Sequence, residues 1–273
     1  MRIRVRAPAS TANLGPGFDC VAVALDLWNE LELVEGSDGP ADQGHLGVRA
    51  FARVSDPDGW TFTWKSRIPR ERGLGSSASV IALGLVAATL AEGREPDSEA
   101  LLDVGARLEG HCDNLAAALA GGVCVTRNGR IVRVAEEAPA SPIAVVPEEK
   151  LLTVAARTSL PESIPHTEAT ASVAAATLLG AALSSGSADL FRSALEGDRL
   201  HEPHRAESTP LLGEARADLP KGALGVTLSG AGPAVVVWAE RGAEGTVAAA
   251  LRERFPRAEV TPLAVSAEGA HAL

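Results

Sequence analysis

A glycine- and serine-rich segment at residues 72–79, RGLGSSAS, constrains the fold more than any other part of this sequence. It follows an alternating apolar and polar run at 60–68 and precedes an alanine-rich run at 80–91, so it predicts a turn from a strand into a helix. The glycines permit a tight turn, and the helix start offers unpaired N–H groups and the positive end of its dipole. Such a turn suits an anion, above all phosphate. A glycine turn with a serine helix cap and no ligand fits the same letters.

Three other kinds of glycine loop fit this segment less well. A Walker loop requires lysine after its last glycine, whereas Ser76 follows Gly75 here. Gly73, Gly75 and Ala78 have the spacing of a dinucleotide-binding fingerprint, but that motif needs a second strand ending in an acid about 20 residues later, where this chain has a polar turn. A hydrolase nucleophile elbow would need a closing glycine. The sequence therefore favours a phosphate loop of another type.

Composition limits the classes of protein that this chain can belong to. Its 273 residues suffice for one large domain or two smaller ones, and 46% hydrophobic with 22% charged residues is typical of a soluble globular protein. A net charge of -10 argues against nucleic-acid binding. The apolar runs are too short for a membrane span, and no signal-peptide core follows the N terminus. From these apolar runs we expect no membrane partner. Cys20, Cys112 and Cys124 lack metal-ligand spacing, so we expect a reducing, cytoplasmic location.

Periodicity and turn residues predict two units, at 1–142 and 143–273, with a linker at 136–142 between them. In the first unit we expect the following elements: a strand at 2–7, a loop at 8–19, an apolar run at 20–27 followed by a strand at 29–35, a short helix within 45–54, the strand at 60–68, helices from 76 and 97, and a hairpin turn at 127–130. In the second unit we expect strands at 143–146 and 151–156, helices from 165 to 198, a second glycine loop between strands within 225–238, a helix at 246–255 and a strand at 259–265.

A second polar cluster, EGHCDN at 109–114, combines a carboxylate suited to a metal ion with amide groups suited to orient a hydroxyl. For His111 alone, a structural role is the commoner one. Asn13 and Asp19 at the ends of the 8–19 loop either face a ligand or satisfy the backbone of their own turn. The second glycine loop is expected to close against the first.

Three segments together resemble the GHMP kinases: PASTANLGPGFD at 8–19, RGLGSSAS at 72–79 and LSGAGP at 228–233. The first motif, with EGHCDN at 109–114 and LHEPHR at 200–205, resembles the homoserine kinases of that family. The resemblance implies an α+β protein in which an N-terminal domain like domain 2 of ribosomal protein S5 meets a C-terminal ferredoxin-like domain, with the active site between them. It further implies transfer of the γ-phosphoryl group of ATP to the side-chain hydroxyl of L-homoserine, giving O-phospho-L-homoserine for threonine biosynthesis.

The same resemblance implies the site residues. The ATP phosphates would be wrapped by the loop residues Arg72, Gly73, Leu74, Gly75, Ser76, Ser77, Ala78 and Ser79. Ser77 and Glu109 would hold Mg²⁺. L-Homoserine would be bound by Asn13, Asp19, His111, Asn114, Arg157 and Arg205. In this division Asp19 faces the amino group, Arg157 and Arg205 face the carboxylate, and Asn114 faces the hydroxyl, which agrees with the charges of those groups. Asn114, Glu109 and Ser77 would be the catalytic residues, with no side chain essential as a proton acceptor.

The chain departs from the family pattern at three positions. Cys112 stands where these kinases usually have proline, and Ser172 and Ala175 stand where they usually have asparagine and arginine, which leaves the choice of substrate open. Two alternatives therefore remain at this point: another small-molecule GHMP kinase, and a non-catalytic ligand-binding protein of the same fold. The family is often dimeric, so the resemblance also allows a homodimer.

Overall fold

Two antiparallel sheets with helices packed on them make up residues 1–36, 40–150 and 158–273, the part of the chain that the computed structural model describes. The strands are β1 (Arg2–Ala12), β2 (Val21–Glu35), β3 (Trp60–Lys65), β4 (Val123–Arg127), β5 (Arg130–Ala135), β6 (Ser141–Val146), β7 (Ala223–Leu228), β8 (Val235–Ala239), β9 (Glu259–Pro262) and β10 (His271–Ala272). The helices are α1 (Leu46–Phe51), α2 (Ser76–Ala91), α3 (Ser98–Glu109), α4 (Asp113–Ala120), α5 (His166–Ser185), α6 (Ala188–Leu195), α7 (Glu202–Arg205), α8 (Pro210–Ala217) and α9 (Glu244–Arg254).

The first sheet is built on the long pair of β1 and β2, and its strand order is β10-β1-β2-β4-β5 with β3 also paired to β2. The prediction that the first strand ends at residue 7 is wrong, because β1 continues to Ala12. Its register shifts between Pro8 and Ala9, and this irregularity accommodates a proline that cannot donate to a regular ladder. The apolar run at 20–27 and the strand predicted at 29–35 form one continuous strand, β2.

Helix α2 packs against this sheet with most of its residues fully buried, as the all-round apolar run at 80–91 indicates. The helix begins directly after Gly75, which confirms the predicted turn from a strand into a helix. Asp97 caps α3 by accepting hydrogen bonds from the backbone N–H groups of Glu99 and Ala100, as expected. The predicted hairpin turn is also confirmed, since Asn128 and Gly129, both with positive φ, join β4 to β5.

The second sheet has the strand order β7-β8-β6-β9, and all its pairs are antiparallel. In chain order its elements run strand, helices, two strands, helix, strand, with the first strand between the third and the fourth, which is a ferredoxin-like arrangement. Strand β6 begins at Ser141, so the predicted linker is shorter than 136–142. The strand predicted at 151–156 lies outside the described residues. Because β10 pairs with β1, the chain end returns to the first sheet, and the division at residue 142 stays a prediction.

A hydrophobic cluster shared by the two sheets fixes their relative position. Leu25 of β2 and Leu74 of the glycine loop belong to the same cluster as Phe191 of α6 and Trp238 of β8. The Phe191 and Trp238 rings pack edge to face with centroids 5.1 Å apart. Because this core is continuous, loops from both halves of the chain meet at one rim. Within the described ranges, every helix is too short or too polar to span a lipid bilayer.

Candidate active site

The two glycine loops and the 109–114 cluster surround one open cleft, whose empty volume is about 800 Å³ with the adjoining open solvent included. Its lining consists mostly of polar residues and glycines from both halves of the chain: Asn13, Asp19, Pro69, Glu71, Gly73, Gly75, Ser76, Ser77, Glu109, His111, Asp113, Asn114, Arg205, Gly230 and Ala231. The second glycine loop closes against the first, as expected. Ser229 Oγ donates to the carbonyl oxygen of Gly73 at 2.7 Å, and Ala234 N donates to the carbonyl oxygen of Arg72 at 3.1 Å.

Glycine is required in the first loop by conformation and by close approach. Gly73 and Gly75 have φ values of 84° and 65°, which side chains adopt only with strain. A Cβ on Gly73 would stand 2.2 Å from the carbonyl oxygen of Ser229, and one on Gly75 would stand 2.0 Å from Ser10 Oγ. The loop can therefore approach both its neighbours and a ligand without a side chain in between, while the first turn of α2 offers its N–H groups to the cleft.

Only part of the predicted phosphate loop lines the cleft, namely Gly73, Gly75, Ser76 and Ser77. Leu74, Ala78 and Ser79 are buried in the core, and Ser79 Oγ donates to the carbonyl oxygen of Ala7. The Arg72 side chain does not line the cleft, because it donates to the carbonyl oxygens of Pro147 and Glu148 at the end of β6. Arg72 thus joins the loop to the second sheet.

Ser77, at the start of α2, and Glu109, at the end of α3, place two side-chain oxygens suited to bind a metal ion next to each other. Ser77 Oγ donates to Glu109 Oε2 at 2.8 Å, and His111 Nε2 lies 3.8 Å from Glu109 Oε1. Burial raises the pKa of the Glu109 carboxyl above its ordinary value, although His111 and the Ser77 hydrogen bond act in the opposite direction. A cation beside these oxygens would favour the charged carboxylate.

The side-chain oxygens of Ser77 and Glu109 fit Mg²⁺, which is bound in kinases by one or two protein oxygens together with phosphate oxygens and water. Among the residues described, no group of three or more His, Cys, Asp or Glu side chains could hold a metal by itself. A protein-only metal cage therefore does not form there, whereas a site shared with a polyphosphate does fit.

Asn114, in the first turn of α4, is buried at the base of the cleft with 8% of its surface exposed. Its Oδ1 accepts a hydrogen bond of 2.8 Å from Ser10 Oγ, and its backbone N–H donates to Asp113 Oδ1 at 2.7 Å. Asp113 Oδ1 also lies 3.2 Å from His111 Nδ1. The 109–114 cluster therefore holds its polar groups in fixed mutual positions.

Asn13 and Asp19 differ in what their side chains do. Asn13 Oδ1 accepts from the backbone N–H of Asp19 at 2.9 Å, so it does satisfy its own turn. Its Nδ2 also donates to the carbonyl oxygen of Gly230 at 3.0 Å, which ties the 8–19 loop to the second glycine loop. Both residues have positive φ, 74° for Asn13 and 56° for Asp19. The Asp19 residue is exposed at the cleft, and we infer that Asn13 orients it.

Arg205, in α7, is the buried cation of the cleft, with 2% of its surface exposed. Its Nη1 donates to the carbonyl oxygen of Gly230 and to His201 Nδ1, each at 3.1 Å. Because that ring nitrogen accepts, the proton of neutral His201 lies on Nε2 and is donated to the carbonyl oxygen of Gly15 at 2.9 Å. Burial lowers the pKa of His201 below its ordinary value, with a smaller contribution from Arg205 in the same direction and opposition from Asp198 and Glu202.

One predicted site residue is not described by the structure, and two residues at which the chain departs from the family pattern lie away from the cleft. Arg157 lies outside the described residues. Ser172 and Ala175 are buried in α5, and neither of them lines the cleft. Ala175 packs closely against Gly197, because a Cβ on that glycine would stand 2.2 Å from the Cβ of Ala175. Sequence reasoning missed Ser10 and His201 as contacts of Asn114 and Arg205. Ser10 lies in the motif at 8–19 and His201 in the motif at 200–205. Their place in these motifs is the sequence feature from which a role at the site could have been predicted.

Family comparisons agree with this arrangement. Residues 45–122 match the family described as the GHMP kinases N terminal domain, and residues 175–257 match the one described as GHMP kinases C terminal. The chain belongs to the GHMP kinase family. The family and the two-part α+β fold expected from the sequence are thereby confirmed. A member of this family uses ATP, so the cleft of this GHMP kinase is its candidate nucleotide and substrate site.

Relatives that this GHMP kinase resembles include homoserine kinases. The homoserine kinase of Lactiplantibacillus plantarum is 37% identical over 267 residues, 92% of each chain. That of Streptomyces coelicolor is 38% identical over 267 residues, 87% of this chain and 84% of the other. The crystal structure of homoserine kinase from Cytophaga hutchinsonii superposes with a TM-score of 0.87 at 25% identity and covers 100% of this chain and 97% of that one.

Proposed function

We propose that this GHMP kinase transfers the γ-phosphoryl group of ATP to the side-chain hydroxyl of L-homoserine, giving O-phospho-L-homoserine for threonine biosynthesis. The observation that carries the proposal is that one cleft contains a glycine loop at a helix N terminus, the paired side-chain oxygens of Ser77 and Glu109, a buried amide and a buried arginine. The names of the relatives that are 37–38% identical support the choice of homoserine.

The nucleotide end of the cleft is the loop at Gly73, Gly75, Ser76 and Ser77. Backbone N–H groups in the first turn of α2 would bind the phosphates of ATP, and the helix dipole adds positive potential there. We propose that Ser77 and Glu109 hold Mg²⁺ against those phosphates. The ion would neutralise charge on the phosphate oxygens, which is its usual contribution in kinases.

The substrate end of the cleft separates opposite charges in the way an amino acid requires. Arg205 would pair with the substrate carboxylate and Asp19 with its ammonium group, since each pair combines opposite charges. Asn114 would bind the hydroxyl, and His111 lies beside it. We propose Arg157 as a second carboxylate ligand on the resemblance alone.

Positioning and charge neutralisation would carry the reaction, because phosphoryl transfer has a loose transition state. The hydroxyl oxygen forms the new bond to phosphorus while the bond to the ADP oxygen breaks with its electron pair left on ADP. The hydroxyl proton passes to an oxygen of the transferred group, so no side chain is needed as a base.

Two further properties are proposed with this function. We place the enzyme in the cytoplasm, where ATP is available and where Cys20, Cys112 and Cys124, which form no disulfide, would stay reduced. We also propose a homodimer, which light scattering on the purified protein would test directly.

The substrate proposal is tested by measuring ADP release from ATP and Mg²⁺ with L-homoserine, L-threonine, L-serine, shikimate and mevalonate. We expect turnover with L-homoserine well above that with the others. Turnover only with an alcohol that is not an amino acid would identify another small-molecule GHMP kinase. Nucleotide binding without turnover of any compound would instead identify a non-catalytic ligand-binding protein.

A further inference from the structure

We propose that Ser10 is a positioning residue that fixes the amide of Asn114 so that its NH₂ group, rather than its oxygen, faces the cleft. The inference rests on the proposed function for the identity of the substrate, but not for the orientation of the amide. It gives the contact between Asn114 and the hydroxyl a direction, with the amide as donor toward the hydroxyl oxygen.

Ser10 has one hydroxyl proton and two acceptors on the same residue to choose from. Ser10 Oγ lies 2.8 Å from Asn114 Oδ1 and 3.4 Å from the Asn114 backbone oxygen, so the shorter bond goes to the side chain. Ser10 is fully buried, and its backbone N–H is occupied by the carbonyl oxygen of Leu74 at 3.2 Å. Burial shields this hydroxyl from bulk solvent, which strengthens its hydrogen bond to Oδ1.

The opposite amide orientation would be poorer. If Asn114 Nδ2 were turned toward Ser10, the hydroxyl would have to donate over 3.4 Å to the backbone oxygen, beyond the ordinary range for O–H···O bonds. With Oδ1 held by Ser10, Nδ2 lies on the side of Gly230, 3.9 Å from where a Cβ on that glycine would stand. Gly230 lines the cleft, so the NH₂ group is the end of Asn114 directed toward it.

Gly75 makes room for this pair. A Cβ on Gly75 would stand 2.0 Å from Ser10 Oγ and 3.2 Å from Asn114 Oδ1. The phosphate loop, Ser10 and Asn114 thus form one packed unit, in which the orientation of the amide is set relative to the nucleotide phosphates. An NH₂ group there donates to the substrate hydroxyl oxygen and leaves the proton of that hydroxyl directed toward the phosphoryl group.

The first test is a double-mutant cycle on kcat with Ser10→Ala, Asn114→Ala and the double variant. Ser10→Ala is expected to lower kcat about ten- to hundredfold with KM for ATP unchanged, because the amide is no longer held in one orientation. In the Asn114→Ala background the same change should have no further effect, since Ser10 acts only through the amide. An equal loss in both backgrounds would overturn the proposal. The cycle uses whichever alcohol the substrate panel identifies, so a failure of the homoserine assignment is recognised separately.

Thr89→Val is the matched control for loss of a buried hydroxyl. Thr89 is 4% exposed in α2 and donates to the carbonyl oxygen of Leu85, away from the cleft. This variant should lose stability as Ser10→Ala does but keep its kcat. A fall in kcat for Thr89→Val equal to that for Ser10→Ala would show that lost stability alone explains the effect.

Asn114→Asp tests the orientation without changing Ser10. If the cleft needs a donor, the carboxylate should be at least as inactive as Asn114→Ala, since it cannot donate and repels phosphate. Activity close to wild type would mean that an acceptor suffices and would overturn the proposal.

A nuclear magnetic resonance readout independent of turnover is the side-chain amide signal of Asn114, assigned by its loss in Asn114→Ala. It should shift in Ser10→Ala and not in Thr89→Val, and an unshifted signal would contradict the contact.

Discussion

Ser77 Oγ and Glu109 Oε2, 32 positions apart in the chain, are joined by a hydrogen bond of 2.8 Å at the edge of the cleft. The bond links the first turn of α2 to the last residue of α3, so it holds the phosphate loop and the 109–114 cluster in a fixed relative position. Because burial raises the pKa of Glu109, a free carboxylate is costly there and gains most from a cation.

Glu109→Gln is expected to weaken Mg²⁺ binding by the enzyme while keeping the shape of the side chain. The Mg²⁺ concentration that gives the half-maximal rate should rise about ten- to hundredfold, because a neutral amide is a poorer ligand than a carboxylate. Glu99→Gln, at an exposed position in the first turn of the same helix, is the control and should behave as wild type. An unchanged Mg²⁺ titration for Glu109→Gln would remove this residue from the metal site.

Gly75→Ala should be far more damaging than Gly93→Ala, although both glycines have nearly the same φ, 65° and 68°. Gly93 has open space where a Cβ would stand, so that variant carries only the left-handed backbone cost of about 1–2 kcal/mol. At Gly75 the contact with Ser10 adds about 1–3 kcal/mol and displaces the phosphate loop. Urea unfolding measures the difference. Equal losses of stability would contradict the close packing of Gly75 and Ser10.

The strand-turn-helix at the phosphate loop was predictable because its signals are local. Glycine, serine and the change of periodicity around residues 72–79 decide the turn without tertiary information, and Asn128 with Gly129 decides the hairpin in the same way. The continuation of β1 to Ala12 was not predictable from the turn-forming letters of the 8–19 loop. Pairing of Ala9 to Ala12 with β2 and burial in the core outweigh the local preference of those residues.

Asp19, Glu109 and Asn114, which carry charged or amide groups of the predicted motifs, line one cleft. The contact of Ser10 with Asn114 could not be predicted, because it joins residues 104 positions apart and depends on the absent side chain of Gly75. The direction of the Arg72 side chain was equally inaccessible, since it follows from where β6 ends in the second sheet.

His201 should make stability fall in mildly acidic solution. Its ordinary pKa is 6.5 and burial lowers that of the folded state, so below about pH 6.5 the unfolded chain takes up a proton that the folded chain does not. As the pH falls below about 6.5, the free energy of unfolding therefore decreases until the pH reaches the pKa of His201 in the folded state. Asp198 and Glu202 act against burial, because their negative charges raise that pKa.

The measurement is urea unfolding between pH 8 and pH 5 for wild type, His201→Gln and the exposed-site control His166→Gln. His201→Gln should be less stable at pH 8 by about 1–3 kcal/mol, because it loses contacts to Gly15 and Arg205, yet show a flatter pH profile. His166→Gln should keep the wild-type profile. A profile in His201→Gln as steep as that of wild type would assign the pH dependence to other groups.

Arg205→Ala should raise KM for L-homoserine about ten- to hundredfold through loss of a charged hydrogen bond to the carboxylate. The control is a change of substrate, 3-aminopropan-1-ol, which is homoserine without its carboxylate. It should be a poor substrate for wild type and no poorer for Arg205→Ala. If the variant loses equally with both alcohols, Arg205 acts through Gly230 and His201 rather than on the substrate.

Phosphorus nuclear magnetic resonance of the wild-type enzyme with ATP, Mg²⁺ and L-homoserine shows directly whether the phosphoryl group of ATP is transferred to homoserine. We expect a new phosphomonoester signal, coupled to the side-chain methylene protons of homoserine, that grows in equal amount with ADP. Release of inorganic phosphate with ADP would contradict phosphoryl transfer to homoserine. Unconsumed ATP in the reaction with L-homoserine, when a parallel reaction phosphorylates another alcohol, would contradict it as well.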